Sequence, residues 1–389
     1  MTNFLIIGNG VAGTTAAEHI RKQDKDGSLT ILSEEDLPFY YRVRLNEVIS
    51  GKLSEQEIVA KPERWYREQE IDLKLNTRVV DADSSRKVVS VANNHEYPYD
   101  RLLIATGSQS FIPPIKGAET RGVFALRSIQ DARDILSYAG DVKEVVIIGG
   151  GLLGLETGNA LRDRDRKVMV VEFFPRLLPR QLDPAGAGML EIIMAEMGLS
   201  FRLGAKTQEI TGKGRVEGVL LEGGEELRAE MVVISAGVRP NVELAQCLNL
   251  DTDKGIKVDN RLRTSQADVY AAGDVAEFQG VPYGIWTASL DQGKVAGINL
   301  AGGEATYNGS TMANTLKVAG VDLASAGDID ADNKMKSKVV SREGVYRKVV
   351  IAENRIKGCI MLGDTKGFTK VTKMMSEGQD VSEIEDRLL

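Results

Sequence analysis

The sequence has few of the side chains that most often carry catalysis or bind metals. Among 389 residues there are only two histidines, His19 and His95, and two cysteines, Cys247 and Cys359. The cysteines are far apart in the chain and form no CxxC pair, which excludes a CxxC redox site and a cysteine-ligated iron–sulfur centre. The histidines suggest no metal site and no local Cys–His arrangement. If the chain is an enzyme, its redox chemistry must therefore come from a bound cofactor.

Charge and hydrophobicity limit the partners and the location that we expect. The net charge is −7, and phosphate binding needs a basic surface, so we expect no nucleic-acid partner. No stretch approaches the roughly 18 apolar residues of a membrane-spanning helix, so we expect no membrane span. No basic region or cleavage site precedes the apolar run 4–7, and no secretory signal is visible. The expected location is therefore the cytoplasm.

Glycine, in contrast, is abundant, with 40 residues, and two segments place it in the same pattern. Residues 3–34 and 144–172 each predict a strand, a glycine-rich turn, a helix and a second strand that leads to an acid, Glu34 or Glu172. In such units the glycines allow a tight turn and a close approach of backbone to pyrophosphate at the helix N-terminus. The candidate nucleotide-binding residues of the turns are Gly8, Gly10, Val11, Ala12 and Gly13, and then Gly149, Gly151, Leu152, Leu153 and Gly154.

Further short matches indicate two homologous nucleotide-binding domains. The run 102–107 (LLIATG) is echoed by 232–237 (VVISAG), and the strand 269–274 (VYAAGD) returns the chain to the first domain. From about 306 the sequence pattern changes. Short segments of alternating apolar and polar residues, at Lys338–Ser341, Tyr346–Ile351 and Ile360–Leu362, predict a small antiparallel sheet. A helix is predicted at Thr369–Glu377.

The order GNGVAG, LLIATG, GGGLLGLE, SAGVRPN and YAAGD resembles the FAD- and NAD(P)H-dependent pyridine nucleotide oxidoreductases across essentially the whole chain. The resemblance implies an α/β fold with two Rossmann-like, three-layer domains and a small α+β domain at the C-terminal end. We expect the discontinuous FAD-binding domain at 1–111 and 238–305 and the NAD-binding domain at 112–237. Residues 306–389 are the expected interface or acceptor domain.

The resemblance also implies roles for individual residues. The first glycine turn would hold FAD and the second NADH, and Glu34 and Glu172 would each accept hydrogen bonds from a ribose. A carboxylate at Glu172 repels the 2′-phosphate of NADPH and favours NADH, a preference that Arg176 could soften. Glu156 would be the catalytic residue near flavin and nicotinamide, although a glutamate in the first helical turn also stabilises the helix dipole. The other residues implied to bind a cofactor are Arg42, Val79, Thr106, Gly107, Gly237, Gly273, Asp274, Trp286 and Lys317.

The segment 38–45 (PFYYRVRL) indicates how electrons leave the flavin. Several members of the superfamily carry a redox cysteine near this position, and this sequence has none, so no thiol–flavin relay can form there. The segment resembles the PPYxRPxLS stretch of rubredoxin and ferredoxin reductases and of the flavin module in NADH-dependent nitrite reductases. Arg42 matches an arginine or lysine that contacts FAD in that branch. Glu47 stands where the branch often has a lysine near flavin N5, which is a departure from the pattern.

The leading hypothesis is a cytoplasmic NADH:rubredoxin-type oxidoreductase, in which hydride passes from NADH to FAD and electrons then pass to a small carrier protein. Residues 306–376 contain 12 Lys/Arg against 7 Asp/Glu, a bias that could steer an acidic carrier or could be a merely solvated surface. The alternatives are an NADH oxidase that reduces O₂ directly, a flavoprotein that senses NADH, and a subunit of a larger reductase. No metal is expected, and the sequence allows a monomer or a homodimer.

Overall fold

The computed structural model describes residues 1–310, 313–385 and 388, and the side chains of residues 313–317 lie outside the described part. The chain divides into two compact units. The first contains Met1–Arg44, Ser54–Gln109 and Val238–Ser310, and the second contains Leu45–Leu53, Ser110–Gly237 and Thr311–Leu389. The second unit contains the whole of the predicted NAD-binding domain, 112–237, and residues 311–389 of the predicted C-terminal domain. It also contains residues 45–53 and 110–111, which were expected in the FAD-binding domain, whereas residues 306–310 belong to the first unit.

The secondary structure alternates between helices and short strands. The helices are α1 (Val11–Gln23), α2 (Leu45–Ser50), α3 (Glu63–Glu68), α4 (Ile129–Tyr138), α5 (Leu152–Arg162), α6 (Pro184–Glu196), α7 (Glu243–Cys247), α8 (Trp286–Leu300) and α9 (Phe368–Ser376). The strands up to the end of the second glycine-rich segment are β1 (Asn3–Ile7), β2 (Ser28–Leu32), β3 (Asp72–Lys74), β4 (Val79–Asp83), β5 (Val88–Val91), β6 (Glu96–Pro98), β7 (Arg101–Ile104), β8 (Ser108–Ser110), β9 (Val123–Phe124), β10 (Glu144–Ile148) and β11 (Lys167–Glu172). The later strands are β12 (Leu199–Leu203), β13 (Thr207–Thr211), β14 (Gly218–Leu221), β15 (Glu226–Arg228), β16 (Met231–Ile234), β17 (Val238–Pro240), β18 (Ile256–Val258), β19 (Val269–Ala271), β20 (Ala276–Phe278), β21 (Ala313–Val318), β22 (Val321–Gly327), β23 (Lys336–Arg342), β24 (Val345–Ala352) and β25 (Arg355–Leu362).

The first unit is built on a parallel sheet with the strand order β19-β7-β1-β2-β3. Alternate side chains of β1 point to opposite faces, so Phe4 and Ile6 pack in the core that includes α1 and α8. Leu5 and Ile7 pack in a second core, with residues of the small antiparallel sheet β4-β5-β6. The first unit therefore has the predicted three layers: helices α1 and α8, the parallel sheet, and the antiparallel sheet β4-β5-β6.

Helices α1 and α8 cross with their backbones almost in contact. A Cβ added to Gly293 would lie 2.5 Å from the Ala12 carbonyl oxygen, and one added to Gly297 would lie 2.4 Å from the Ala16 carbonyl oxygen. Both distances are far below a real contact, so only glycine fits at these two positions of α8. This crossing fixes the start of α8 relative to the start of α1, where the first glycine turn lies.

The second unit repeats the parallel sheet of the first. Its strand order is β12-β11-β10-β16-β9, and α5 connects β10 to β11. One face of β10, through Val146 and Ile148, packs with Ile210 and Val219 of the antiparallel sheet β13-β14-β15. The two nucleotide-binding domains predicted from the repeated pattern are therefore built on the same plan.

The C-terminal part of the second unit is the predicted antiparallel sheet, with the strand order β21-β22-β25-β24-β23. Helix α9 packs on it through Phe368 and Val371, against a core that contains Cys359 and Met361. The helix begins one residue earlier than predicted, at Phe368, after Gly367 in the left-handed conformation.

The contact between α1 and α8 gives a stability prediction. Gly297→Ala is expected to lower the free energy of unfolding by roughly 1–3 kcal/mol, because its new methyl group must push a backbone carbonyl away. Gly188→Ala, in α6, is the matched control, since nothing lies within 4 Å of its added Cβ. That change should raise the free energy of unfolding by roughly 0.5–1 kcal/mol. Thermal unfolding followed by circular dichroism compares the two, and equal or higher stability of Gly297→Ala would contradict the packing described.

Candidate functional site

The first glycine turn forms a tight corner between β1 and α1. Gly8 has a φ of +109°, and an added Cβ would lie 2.1 Å from the carbonyl oxygen of Ala105. A Cβ on Gly13 would lie 2.0 Å from the carbonyl oxygen of Gly8. Gly10, the N-cap of α1, has no side-chain cap and nothing within 4 Å of an added Cβ. The positive end of the helix thus faces open space, as an anion-binding turn requires.

Asn9, inside this turn, carries a further sign of a ligand. Its side-chain oxygen accepts hydrogen bonds from the hydroxyls of Tyr66, at 2.9 Å, and Thr14, at 3.2 Å. Its side-chain NH₂ group is buried and has no hydrogen-bond partner in the described part of the chain. Because leaving a buried donor unpaired costs about 1–3 kcal/mol, a ligand acceptor at this turn is the simplest partner for it.

The segment after β19 lies against the same helix start. Gly273 has a φ of +86°, and an added Cβ would lie 2.9 Å from the Cβ of Ala12. Asp274 follows directly, and its carboxylate accepts a hydrogen bond of 2.8 Å from the Ser108 hydroxyl. The Thr106 hydroxyl donates to the carbonyl of Asn241 at 3.0 Å, and Gly107 next to it has a φ of +67°. The structure therefore brings these predicted residues to the N-terminal end of α1.

Two adjacent acids, Glu34 and Glu35, follow β2. Glu34 is exposed, and its nearest cation is Arg78 at 3.9 Å. The neighbouring Glu35, which the sequence reasoning did not single out, accepts hydrogen bonds from the Tyr40 hydroxyl and from the guanidinium of Arg42. Burial opposes the charge on Arg42, yet Tyr40 and Glu35 outweigh it and raise the pKa of the guanidinium above its usual value. The sequence offers two adjacent glutamates after this strand, and this pair is the only feature from which the role of Glu35 could have been suspected.

Two more predicted residues lie in the first unit. Val79 is the first residue of β4 and packs against the core of that layer. Trp286 is the first residue of α8, and its ring lies 6.0 Å from the ring of Phe39 and 5.6 Å from that of Tyr41, measured between centroids. Tyr41 is 40% exposed, so this group of three rings reaches the surface of the unit.

The second glycine turn repeats the geometry of the first. Gly149 has a φ of +119°, and an added Cβ would lie 2.2 Å from the carbonyl oxygen of Ser235. A Cβ on Gly154 would lie 2.1 Å from the carbonyl oxygen of Gly149, whereas Gly151, the N-cap of α5, has nothing within 4 Å. Leu152 and Leu153 form the first helical residues beyond it. The second turn is thus also an uncapped helix start that can receive a pyrophosphate.

Glu172 ends β11 beside this turn. It is buried, with 7% of its surface exposed, and its carboxylate accepts hydrogen bonds from the backbone N–H groups of Gly150, at 2.5 Å, and Phe174, at 2.8 Å. Arg176 turns away to donate to the carbonyls of Pro179 and Leu182. The acid therefore faces the glycine turn, and the cation that could soften its charge is engaged with backbone.

Glu156 lies on α5 and touches the C-terminal sheet. Its carboxylate accepts a hydrogen bond of 2.9 Å from the backbone N–H of Ala319, in the turn between β21 and β22. Burial raises the pKa of the Glu156 carboxyl, with Glu47 and Asp163 acting in the same direction, while the Ala319 N–H and Lys52 oppose the shift. Lys52 itself forms an ion pair of 2.7 Å with Asp163. One carboxylate oxygen of Glu156, the predicted catalytic residue, therefore holds the turn between β21 and β22 in place.

The remaining predicted residues are Gly237 and Lys317, and the chain also has two cysteines. Gly237 has a φ of +104° and nothing near its added Cβ, and the side chain of Lys317 lies outside the described residues. Burial raises the pKa of the Cys359 thiol to about 12 and also raises that of Cys247, so neither thiol is activated. In residues 1–310, 313–385 and 388 there is no cluster of His, Cys, Asp and Glu that could hold a metal ion. Nor does that part of the chain contain a helix long and apolar enough to cross a membrane.

Comparison with known proteins identifies the family in which these two glycine turns occur. Residues 2–297 match the family model described as pyridine nucleotide-disulphide oxidoreductase, and residues 313–379 match that of the rubredoxin NAD⁺ reductase C-terminal domain. The first match covers well over half of the chain, and the chain therefore belongs to the pyridine nucleotide-disulphide oxidoreductase family. The family predicted from the five sequence motifs is confirmed.

Three relatives show the range of this family. The chain is 35% identical to a nitrite reductase (NAD(P)H) of Bacillus subtilis over 98% of its own length and 48% of that protein. It is 36% identical to an NADH oxidase of Methanocaldococcus jannaschii over 95% of its length and 89% of that protein. The solved structure of NADH:rubredoxin oxidoreductase from Clostridium acetobutylicum has 30% identity and a TM-score of 0.85, over 98% of this chain and 97% of that one. The chain spans about half the length of that nitrite reductase, and also half of an assimilatory nitrate reductase electron transfer subunit of Bacillus subtilis, to which it is 31% identical over 97% of its own length.

The raised pKa of Glu156 gives a stability prediction with a defined sign. A carboxyl whose pKa is higher in the folded than in the unfolded state favours folding below the unfolded pKa, and this contribution is lost as the pH rises through the folded pKa. Glu156→Gln removes the titration and keeps an oxygen for the Ala319 N–H. Its melting temperature relative to the wild type should therefore rise as the pH increases from about 4 to 8.

Glu156→Ala is the control for that measurement, because it also removes the acceptor of the Ala319 N–H. We expect it to be less stable than Glu156→Gln at every pH, by about 1 kcal/mol. A melting-temperature difference between wild type and Glu156→Gln that does not change with pH would contradict the raised pKa.

Proposed function

We propose that the first unit binds FAD and that the second glycine turn binds NADH. FAD would lie with its pyrophosphate at the start of α1, held by the first glycine turn and Asp274, with Glu34 on the ribose and Arg42 and Trp286 toward the flavin. The uncapped start of α1, the open side of Gly10 and the unpaired amide of Asn9 support this assignment. Bound FAD supplies the ability to take two electrons from a reduced nicotinamide and release them singly or together.

Glu172 supports a proposed preference for NADH over NADPH. Its buried carboxylate lies against the second glycine turn, where the ribose hydroxyls of a dinucleotide would meet it. A 2′-phosphate at that place would stand beside a desolvated negative charge, because Arg176 points to backbone carbonyls. Glu156, on α5, would act near the nicotinamide.

The proposed reaction is reduction of a small electron-carrier protein of the rubredoxin type by NADH. Neither of the two cysteines is an activated thiol, so electrons must leave the flavin directly. The single observation that carries the choice of a carrier protein is the C-terminal domain. The match of residues 313–379 to the rubredoxin NAD⁺ reductase C-terminal domain supports the choice of acceptor. The cytoplasmic location and the choice between monomer and homodimer stay predictions.

A second candidate is direct reduction of O₂. It is favoured by the identity to the Methanocaldococcus jannaschii NADH oxidase, which extends over 89% of that protein. A reduced flavin needs no protein acid or thiol to react with O₂, so the described side chains fit this activity as well.

The rate of flavin reoxidation separates the two candidates. We would reduce the FAD-loaded protein anaerobically with NADH and mix it rapidly with oxidised rubredoxin or with air-saturated buffer. The carrier-reductase proposal predicts that rubredoxin restores the flavin colour within the mixing time and that air takes far longer. Reoxidation by air that is as fast as by rubredoxin would contradict it and favour the oxidase.

The double variant Cys247→Ser, Cys359→Ala is the control for the thiol-free route. Both reoxidation rates should equal those of the wild type, because neither thiol takes part. A clear loss of the rubredoxin rate in this variant, with normal reduction by NADH, would show that a cysteine carries the electrons.

A further inference from the structure

A fully buried lysine, Lys348, lies on β24 of the C-terminal sheet. Its side chain is 0% exposed, and its ammonium group donates hydrogen bonds to the Asp183 carboxylate at 3.0 Å, the Asp330 carbonyl at 2.9 Å and the Asn333 side-chain oxygen at 2.7 Å. These three acceptors use all three donors of an ammonium ion. The side-chain nitrogen of Lys348 is therefore completely paired, as burial of a polar group requires.

The partner, Asp183, is also buried, with 1% of its surface exposed. One carboxylate oxygen caps α6 by accepting the N–H of Gly186 at 2.9 Å. The other accepts from Lys348 and, at 2.7 Å, from the hydroxyl of Tyr346. Burial and this carboxylate raise the pKa of the Tyr346 hydroxyl, so it remains a donor at every physiological pH. Two residues of one strand thus hold the start of α6.

Residues 173–182, which we call the 173–182 loop, connect Glu172 to Asp183. The N–H of Leu178 donates to the carbonyl of Gly150 in the second glycine turn, at 3.1 Å. Leu178 is fully buried and has a φ of +46°, a left-handed conformation that costs a non-glycine residue on the order of 1–3 kcal/mol. Arg176 closes the loop onto the carbonyls of Pro179 and Leu182. Such a conformation persists only where the surroundings hold it.

The ion pair itself is a poor source of stability. Removing two charges from water costs several kcal/mol per ion, and apolar residues of similar size often stabilise a fold as well as a buried pair does. What the pair supplies is a fixed position for Asp183, because its carboxylate is bound from three directions. That position is where the 173–182 loop ends.

We propose that Lys348 and Tyr346 are positioning residues for the dinucleotide: through Asp183 they hold the 173–182 loop in the shape that lets Glu172 and the second glycine turn receive the adenosine ribose. The inference rests on the proposed function, since it takes the second glycine turn as the NADH site. It assigns the C-terminal sheet a part in nucleotide affinity, in addition to any role with the acceptor.

The test measures binding of ADP-ribose to the FAD-loaded protein by calorimetry. ADP-ribose carries the adenosine ribose and pyrophosphate and has no nicotinamide, so no redox step enters the measurement. Tyr346→Phe, which removes one hydrogen bond from Asp183, should raise the dissociation constant about threefold. The double variant Lys348→Met, Asp183→Asn should raise it about tenfold, because it removes both charges and keeps an oxygen to cap α6.

Kinetic measurements distinguish a role in positioning the dinucleotide from a general disturbance of the fold. In both variants the KM for NADH should rise, while the rate of flavin reduction at saturating NADH and the FAD content stay at the wild-type level. Lys336→Met is the matched control, since it breaks the ion pair of Lys336 with Glu385 and does not touch the loop. Its dissociation constant for ADP-ribose should be that of the wild type.

The outcomes separate the inference from the proposed function. Wild-type affinity in the folded double variant, or an equal loss in Lys336→Met, would overturn the inference and leave the proposed function intact. If the double variant does not fold, wild-type affinity in Tyr346→Phe overturns it in the same way. Failure of the wild-type FAD-loaded protein to bind ADP-ribose would refute the proposed function itself, and the inference with it.

Discussion

The close approach of a turn glycine to the end of the neighbouring strand is the constraint on which both proposed nucleotide sites depend. Gly8 lies against the carbonyl of Ala105, and Gly149 lies against the carbonyl of Ser235, at distances that exclude any Cβ. Each contact sets where the following helix begins, and each helix begins without a side-chain cap. The two uncapped helix ends are the strongest physical reason to assign two nucleotides to one chain.

The parts of the fold that could be predicted from sequence are those that local pattern encodes. Strand, glycine turn, helix and acid follow each other within about thirty residues, as in any dinucleotide-binding unit, and the antiparallel C-terminal sheet follows from alternating polarity. The contacts of Glu156 with Ala319 and of Asp183 with Lys348 join residues more than 160 positions apart. No periodicity predicts these contacts, because Glu156, Asp183 and Lys348 each look like solvated side chains in the sequence and the backbone N–H of Ala319 has no sequence signal.

Three glutamates show how burial and partners give the same side chain different roles. Glu35 neutralises Arg42, Glu172 is held by backbone N–H groups beside a glycine turn, and Glu156 supports a turn of the C-terminal sheet with a raised pKa. The sequence pattern identified the second and third, whereas Glu35 was overshadowed by its neighbour Glu34. Neither of the two cysteines is an activated thiol, so the proposed chemistry relies on carboxylates, on the groups around the two turns and on the bound cofactors.

The most direct test of the central claim is an anaerobic titration of the FAD-loaded protein with NADH, followed by absorbance at about 450 nm, where oxidised flavin absorbs. We expect the absorbance to be lost with an end point at a single equivalent of NADH per bound FAD, and NADPH to be much less effective. A protein that retains no FAD after incubation with it, or whose bound flavin stays oxidised in excess NADH, would contradict the assignment of the two turns.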